Sequence, residues 1–449
     1  MPKKAEKQPK KIPKAPVLKI PQLLRGFKDI LPAEQNFWRF ICQTAENFSL
    51  GYGFSRIDPP ILEEAGLFVR SIGKQTDIVE KEMFTFNDVA QGMVVLRPEA
   101  TASIARAYIS HGMFNLPQPV KLFYWGPMFR RERPQSGRQR QFYQFGFEIL
   151  GEANPVVDAQ LIAIVSNFFN QIGLDQISLQ VNSIGCPDCR KNFIEELVNY
   201  YRAKRKMLCE DCKNRLTKNP LRLLDCKQPS CQFIKASAPQ IVDWLCENCK
   251  THFMKVAEYL DSLNIFYKLN PYLVRGLDYY TRTVFEVWPT EKEEGSQSVL
   301  GGGGRYDGLV ELLGGRPTPA VGVSLGVERI ILQLKQKEVA IPSKKAPDVF
   351  LAQIGDAAKI KAFNLYERLR QENILVAESF AKDSLKSQLD SANKLKVKYA
   401  LILGQKEVMD GTILIREMES GVQEIIDFKK TVAELKKKLN HNNHQTPVV

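Results

Sequence analysis

Residues 121–151 contain two runs in which apolar and polar side chains alternate, KLFYWGPMFRRER and RQFYQFGFEILG, joined by the polar loop PQSGRQ. A period of two is the strand period, so the pattern predicts two long antiparallel strands. A sheet built on such a pair needs helices to cover it. On the second run Gln144, Gly146 and Glu148 share one face, and Phe145, Phe147 and Ile149 share the other. The apolar trio suits a core. The polar pair flanking a glycine can either recognise a small polar ligand or form an ordinary solvated face. Arg130, Arg131, Arg133, Arg138 and Arg140 crowd the tip with Glu132. A guanidinium fork matches phosphate oxygens. Phe142 and Tyr143 add flat faces for a base. The plainer alternative is an exposed basic hairpin without a ligand.

Other segments surround this pair. A helix is expected within 21–50, stopped by Gly51 and Gly53. FSRIDPPILEE reads as a strand ended by Pro59–Pro60, and MFTFND with MVVLRPEAT as a hairpin. TASIARAYISH reads as a helix with Thr101 as N-cap. LVRGLDYYTRTVFEVWP reads as a strand region, LGGGGRYDGLVELLGG as a glycine turn entering a helix, and AVGVSLGVERI as a strand or turn before a helix. Residues 338–347 read as a linker, and strands alternate with helices beyond it. The expected organisation is a basic tail (1–20), an α+β domain with an antiparallel sheet flanked by helices (21–337), a Cys-rich insertion at about 185–255, an α/β domain (348–440) and a frayed tail (441–449).

Composition narrows the class. The 449 residues suffice for several domains, and 44% hydrophobic with 25% charged residues excludes a disordered or fibrous chain. The net charge of +13 favours polyanionic partners. Seven lysines lie in the first 20 residues, which lack the apolar core of a secretory signal. No 18-residue apolar run suggests a membrane span. A cytoplasmic location with reduced thiols follows as the expectation.

No Walker A loop is present, so a nucleotide has to be held some other way. Candidate cations are the hairpin arginines, Arg275 ahead of Gly276, and Arg329 at the start of a helix.

These pieces resemble a known family. GYGFSRIDPPIL, FRRERPQSGRQRQFYQFGFEILG and GVSLGVERI resemble motifs 1, 2 and 3 of the class II aminoacyl-tRNA synthetases. LVRGLDYYTRTVFEV and GGGGRYDGL resemble the two signatures of the histidyl-tRNA synthetases, and the likeness runs from about 22 to 440. It implies a homodimeric ligase that joins L-histidine and ATP into histidyl-adenylate with Mg²⁺ and then charges tRNA(His). It places Arg130 and Arg275 at the α-phosphate as catalytic residues, and Arg329 at the γ-phosphate. Glu132 and Phe142 fall at the adenine. Glu99, Thr101 and Gln144 fall at the α-ammonium of histidine, and Glu148 and Tyr280 at its imidazole, with Tyr279 and Tyr306 lining the pocket. Arg133, Gln135, Arg138 and Arg140 face the tRNA acceptor end, and the C-terminal domain resembles an anticodon-binding domain. Two competing readings are a regulatory subunit of ATP phosphoribosyltransferase, which borrows this fold, and a non-catalytic RNA-binding relative. Arg130, Arg275, Arg329 and residues 347–440 argue against the first, and the intact arginine set argues against the second.

Eight of nine cysteines fall in four pairs: Cys186/Cys189, Cys209/Cys212, Cys226/Cys231 and Cys246/Cys249. Three are C-x2-C, a spacing that suits structural Zn²⁺. The first two pairs fit a zinc ribbon best and are the expected single site. Reduced structural thiols are the alternative. No candidate ATP or histidine residue lies in 186–249, so metal removal is expected to disturb tRNA use more than histidine activation.

Overall fold

A computed structural model describes residues 20–290, 299–342 and 346–443. Residues 1–19 of the expected basic tail, 343–345 of the expected linker and 444–449 of the expected frayed tail lie outside the described residues. The chain divides into two compact units, Met1–Pro342 and Ser343–Val449.

In the first unit four short strands come first: β1 (Ser55–Arg56), β2 (Leu62–Glu64), β3 (Phe84–Asp88) and β4 (Gly92–Leu96). The alternating runs follow as β5 (Val120–Phe129) and β6 (Gln141–Leu150), antiparallel from Val120 opposite Leu150 to Phe129 opposite Gln141. Then come β7 (Ile177–Ser183), β8 (Tyr267–Leu269), β9 (Thr281–Pro289), β10 (Gly301–Arg305) and β11 (Ala320–Gly326). Eight of these form one sheet in the order β1-β5-β6-β11-β10-β9-β7-β8. Only the β1–β5 and β7–β8 pairs are parallel. β2, β4 and β3 form a separate small sheet.

The period-two pattern decides which face is core. Phe145, Phe147 and Ile149 are fully buried with Phe168, Phe169, Ile330 and Leu334, from the helices Val156–Gln171 and Val327–Gln336. Each such side chain contributes about 1.5–3 kcal/mol by leaving water. The other face is not solvated: Glu148 is fully buried there.

Four local expectations change. The glycine run is a strand, β10, paired on both sides by β9 and β11. Glycine has poor strand propensity, but here the neighbours come too close for anything larger. A Cβ on Gly303 would strike the Gly322 carbonyl and Val323. Strand structure in the 273–289 stretch begins only at Thr281. The residues before it are irregular, with Asp278 N donating to Ile72 O at 3.1 Å. The segment around Pro59–Pro60 is split between two sheets, Ser55–Arg56 and Leu62–Glu64. Thr101 is the first residue of helix Thr101–Ser110 rather than its cap. The Glu99 carboxylate accepts from the Thr101 and Ala102 N–H groups instead, at 2.6 and 2.9 Å.

The second unit holds β12 (Val349–Gln353), β13 (Val376–Glu378), β14 (Tyr399–Leu403), β15 (Thr412–Glu417) and β16 (Gln423–Asp427). Their order is β13-β12-β14-β15-β16. The first three are parallel, and β15 and β16 run antiparallel. Both faces of β12 are buried: Val349 and Leu351 pack with Leu365 and Leu369, and Phe350 and Ala352 with Ala392. The last helix continues to Asn443, into the stretch expected to fray. Among the described residues no helix is long and apolar enough to cross a membrane.

Candidate active site

The polar face of β6 opens into a cavity of about 540 Å³. The antiparallel register sets Gln144 opposite Gly126 and Glu148 opposite Leu122. Gln144 lines the cavity, and its Oε1 is buried without a hydrogen-bond partner among the described residues. A buried unpaired carbonyl is costly, so the position suits a ligand donor.

Glu148 lies deeper. Tyr306 Oη donates to its Oε2 at 2.5 Å and Thr101 Oγ1 to its Oε1 at 2.8 Å. Burial pushes its pKa to about 8, against the two donors, and Glu99 pushes the same way. Gly322 of β11 lies against it, where a Cβ would collide with the carboxylate. Burial also raises the Glu99 carboxyl. The Tyr279 and Tyr280 rings pack 4.7 Å apart, and Tyr306 meets Tyr279 edge-on at 5.8 Å.

Four of the arginines singled out in the sequence converge on the same cavity: Arg130, Arg138, Arg275 and Arg329. Arg130 is held by the chain on both sides. Its Nε donates to Pro98 O at 2.9 Å, and its N–H to Arg140 O at 2.9 Å. Its guanidinium lies over the Phe142 ring, 5.4 Å from the centroid. Glu132 is buried, ion-paired with Arg138 and 3.8 Å from Arg130. Arg329 starts the helix Val327–Gln336, donating from Nε to Gly137 O at 3.0 Å and from Nη1 to Val299 O at 2.6 Å. It thereby ties the hairpin loop to the chain leading into β10. Arg275 donates to Glu286 Oε1 at 2.6 Å and lies 5.5 Å from the Tyr280 centroid. Gly302 leaves room for its guanidinium.

Of the residues singled out in the sequence, Glu99, Thr101, Arg130, Glu132, Arg138, Phe142, Gln144, Arg275, Tyr279, Tyr280 and Arg329 line one cavity. Glu148 and Tyr306 sit immediately beneath, and Glu148 accepts from both Tyr306 Oη and Thr101 Oγ1. Arg133, Gln135 and Arg140 do not line it. Arg133 and Gln135 are exposed, and Arg140 folds back, donating to Glu132 O at 3.3 Å and, through its main chain, to Gly26 O.

Sequence reasoning missed several wall residues. Glu286 alternates inward on β9 and stands inside the LVRGLDYYTRTVFEV stretch, where the resemblance gives it no role. Glu82 is pushed to about pKa 7 by burial and then by Glu132. Glu328 is pushed to about 7 by burial, although it accepts from the Tyr143 N–H at 2.9 Å. Arg215, Arg222 and Asp225 reach the cavity from the Cys-rich insertion, which no local pattern signals.

The cysteines pair differently from the zinc-ribbon expectation. Cys186, Cys189, Cys246 and Cys249 form one group and Cys209, Cys212, Cys226 and Cys231 another, with the sulfurs of each within 4.8 Å of one another. Pair one joins pair four and pair two joins pair three, because chain spacing does not report the fold of the segment between. All eight are free thiols.

The family model described as "Histidyl-tRNA synthetase" matches residues 26–330, and that described as "Anticodon binding domain" matches 348–438. A histidine--tRNA ligase of Dehalococcoides mccartyi is 47% identical over 415 residues, 92% of this chain and 99% of that protein. One of Pelotomaculum thermopropionicum is 46% identical over 415 residues, 92% and 97% of the two chains. The apo crystal structure of the S. aureus histidyl-tRNA synthetase superposes with a TM-score of 0.77 at 35% identity, covering 93% of this chain and all of that one.

Proposed function

The chain belongs to the histidyl-tRNA synthetase family, and from that premise we propose how its cavity ligates histidine to tRNA in two steps. The histidine carboxylate attacks the α-phosphate of ATP, pyrophosphate leaves, and the histidyl group passes to the 3′-terminal adenosine of tRNA(His). The observation that carries this reading is the convergence of Arg130, Arg275 and Arg329 on one cavity that Gln144 also lines, with Glu148 buried beneath it.

The first step brings two anions together, so the protein's work is positioning and cationic stabilisation. Arg130 and Arg275 are assigned to the α-phosphate. Each is held by another group, so neither has to be ordered during the reaction. Arg329 takes the γ-phosphate. Adenine stacks on Phe142, sharing that ring with Arg130, and Glu132 accepts from the adenine amino group. Glu99, Thr101 and Gln144 receive the α-ammonium. Glu148 and Tyr280 read the two imidazole nitrogens, enclosed by Tyr279 and Tyr306. An analogue without both nitrogens forfeits its bonds to Glu148 and Tyr280 inside a buried pocket, which is a strong basis for rejection.

Mg²⁺ neutralises pyrophosphate charge when bound. Zn²⁺ fits the insertion. Tetrahedral Zn–S bonds of about 2.3 Å place sulfurs a little under 4 Å apart, and Cys186–Cys189 and Cys209–Cys226 are 3.5 and 3.8 Å apart. Cys189 and Cys231 also accept main-chain N–H bonds, from Cys246 at 3.0 Å and Cys209 at 3.4 Å.

The tip residues Arg133, Gln135, Arg138 and Arg140 are assigned to the tRNA acceptor end, and the unit beyond 342 to the anticodon. A homodimer through the motif 1 segment is supported by its exposed Ile61 and Leu62. The lack of a membrane-spanning helix among the described residues accords with a cytoplasmic enzyme. Charging assays with purified tRNA test the function: histidine should become acid-precipitable on tRNA(His), and no transfer to tRNA under active-enzyme conditions would refute it.

A further inference from the structure

The Cys-rich insertion is not a separate appendage. Its Leu216, Leu223, Cys226, Cys231 and Ile234 belong to the same buried cluster as Tyr279, Tyr280 and Tyr306 of the histidine pocket. Three of its cysteine pairs have one local form. Cys186, Cys209 and Cys246 each cap a helix, and Cys189, Cys212 and Cys249 lie in the first turn of that helix. The two groups of four are nested in the chain, with Cys209, Cys212, Cys226 and Cys231 forming the inner one.

What lies between the inner cysteines faces the catalytic cavity. Arg215, Arg222 and Asp225 line it, as does Cys226 itself. Arg222 reaches Asp77 at 3.2 Å and Arg215 reaches the same carboxylate at 3.6 Å. Lys218 pairs with Glu80 at 2.8 Å, and Asn219 donates to Asp278 at 3.1 Å, three residues from Arg275. The 77–82 segment is in turn tied to the hairpin, since Arg131 N donates to Glu82 O at 2.6 Å. Arg222 Nε is buried without a partner among the described residues. The inner segment is therefore a wall of the nucleotide cavity, pinned at one end by four thiols and at the other by ion pairs.

We propose that the inner group, Cys209, Cys212, Cys226 and Cys231, binds a zinc ion that holds Arg222 at the cavity rim, so that metal occupancy sets the affinity for ATP. The outer group binds a second ion and fixes the base of the insertion without reaching the cavity. This deepens the synthetase reading, on which only the identity of the nucleotide rests. It also runs against the expectation that metal loss disturbs tRNA use more than histidine activation, because cavity walls come from inside 186–249.

The test uses the full chain, purified reduced and without added metal. Elemental analysis should find about two zinc ions per chain, and about one in either Cys212→Ser or Cys249→Ser. Replacement by Co²⁺ should give thiolate-to-metal absorption that falls by about half in each variant. Calorimetry with ATP alone should show a Kd raised about tenfold in Cys212→Ser and unchanged in Cys249→Ser. Arg222→Ala, which leaves every thiol in place, should keep both ions and weaken ATP to a similar degree. The proposal is overturned by less than about 0.1 zinc per chain, by loss of the inner ion with unchanged ATP affinity, or by unchanged affinity in Arg222→Ala. A zinc-loaded chain that binds ATP as described but never activates histidine would instead refute the synthetase reading.

Discussion

Arg275 has the role most exposed to test. Its guanidinium is held by Glu286 at 2.6 Å and made possible by the absence of a side chain at Gly302. Arg275→Ala should lower the rate of adenylate formation by about 10²–10⁴, equivalent to about 3–5 kcal/mol of lost transition-state stabilisation. The substitution removes the ion pair of Glu286 and leaves it only the Trp288 indole N–H at 3.1 Å, so thermal unfolding must be followed alongside. A folded variant with the wild-type rate would remove the role. Glu148 gives a second prediction at this scale. Its folded pKa of about 8 lies above the ordinary value of 4.5, so the unfolded chain ionises first as pH rises. The stability from the neutral, buried form is complete below about pH 4.5, falls through the interval, and is gone above about 8. Glu82 and Glu328, at about 7, add to the same fall. Glu148→Gln should flatten the decline of Tm across that interval in ligand-free protein, and an unchanged slope would contradict the assignment.

At the level of elements, legibility followed how directly a pattern maps onto a contact. The alternation in 121–151 predicted β5 and β6 because sheet faces follow parity, and Phe145, Phe147 and Ile149 are core as expected. The glycines 301–304 misled because propensity is local, while β10 exists through its neighbours on both sides. Its lack of side chains is a fit to β11 and to Arg275. Gly302→Ala tests this: the new Cβ falls on the flexible end of Arg275 and on no main-chain atom among its nearest contacts. Tm should barely move, while kcat for adenylate formation should fall by about tenfold or more. A large drop in Tm with unaltered kcat per folded enzyme would place the glycine's importance in packing alone. The cysteine pairing was illegible for the opposite reason. Spacing favours adjacent pairs, and only the fold of 190–245 brings Cys246 and Cys249 back to Cys186 and Cys189.

For the whole molecule, the change of rhythm beyond 338–347 marked a second unit, and the compact units divide between Pro342 and Ser343. The parallel half of its sheet was readable from alternating strands and helices. β16 was not, because its exposed, polar QEIID sequence resembles a loop and acquires strand form only by pairing with β15. Every assigned ATP and histidine residue precedes residue 340. A chain ending at 342 should therefore activate histidine at close to the full rate and charge tRNA poorly. Equal charging by the short and full chains would contradict the anticodon assignment. The central claim is that one cavity joins this amino acid to this nucleotide. Amino-acid-dependent ATP–pyrophosphate exchange measures that directly: label should enter ATP with histidine and not with the other amino acids, and exchange that is absent, or that another amino acid supports equally well, would contradict the account.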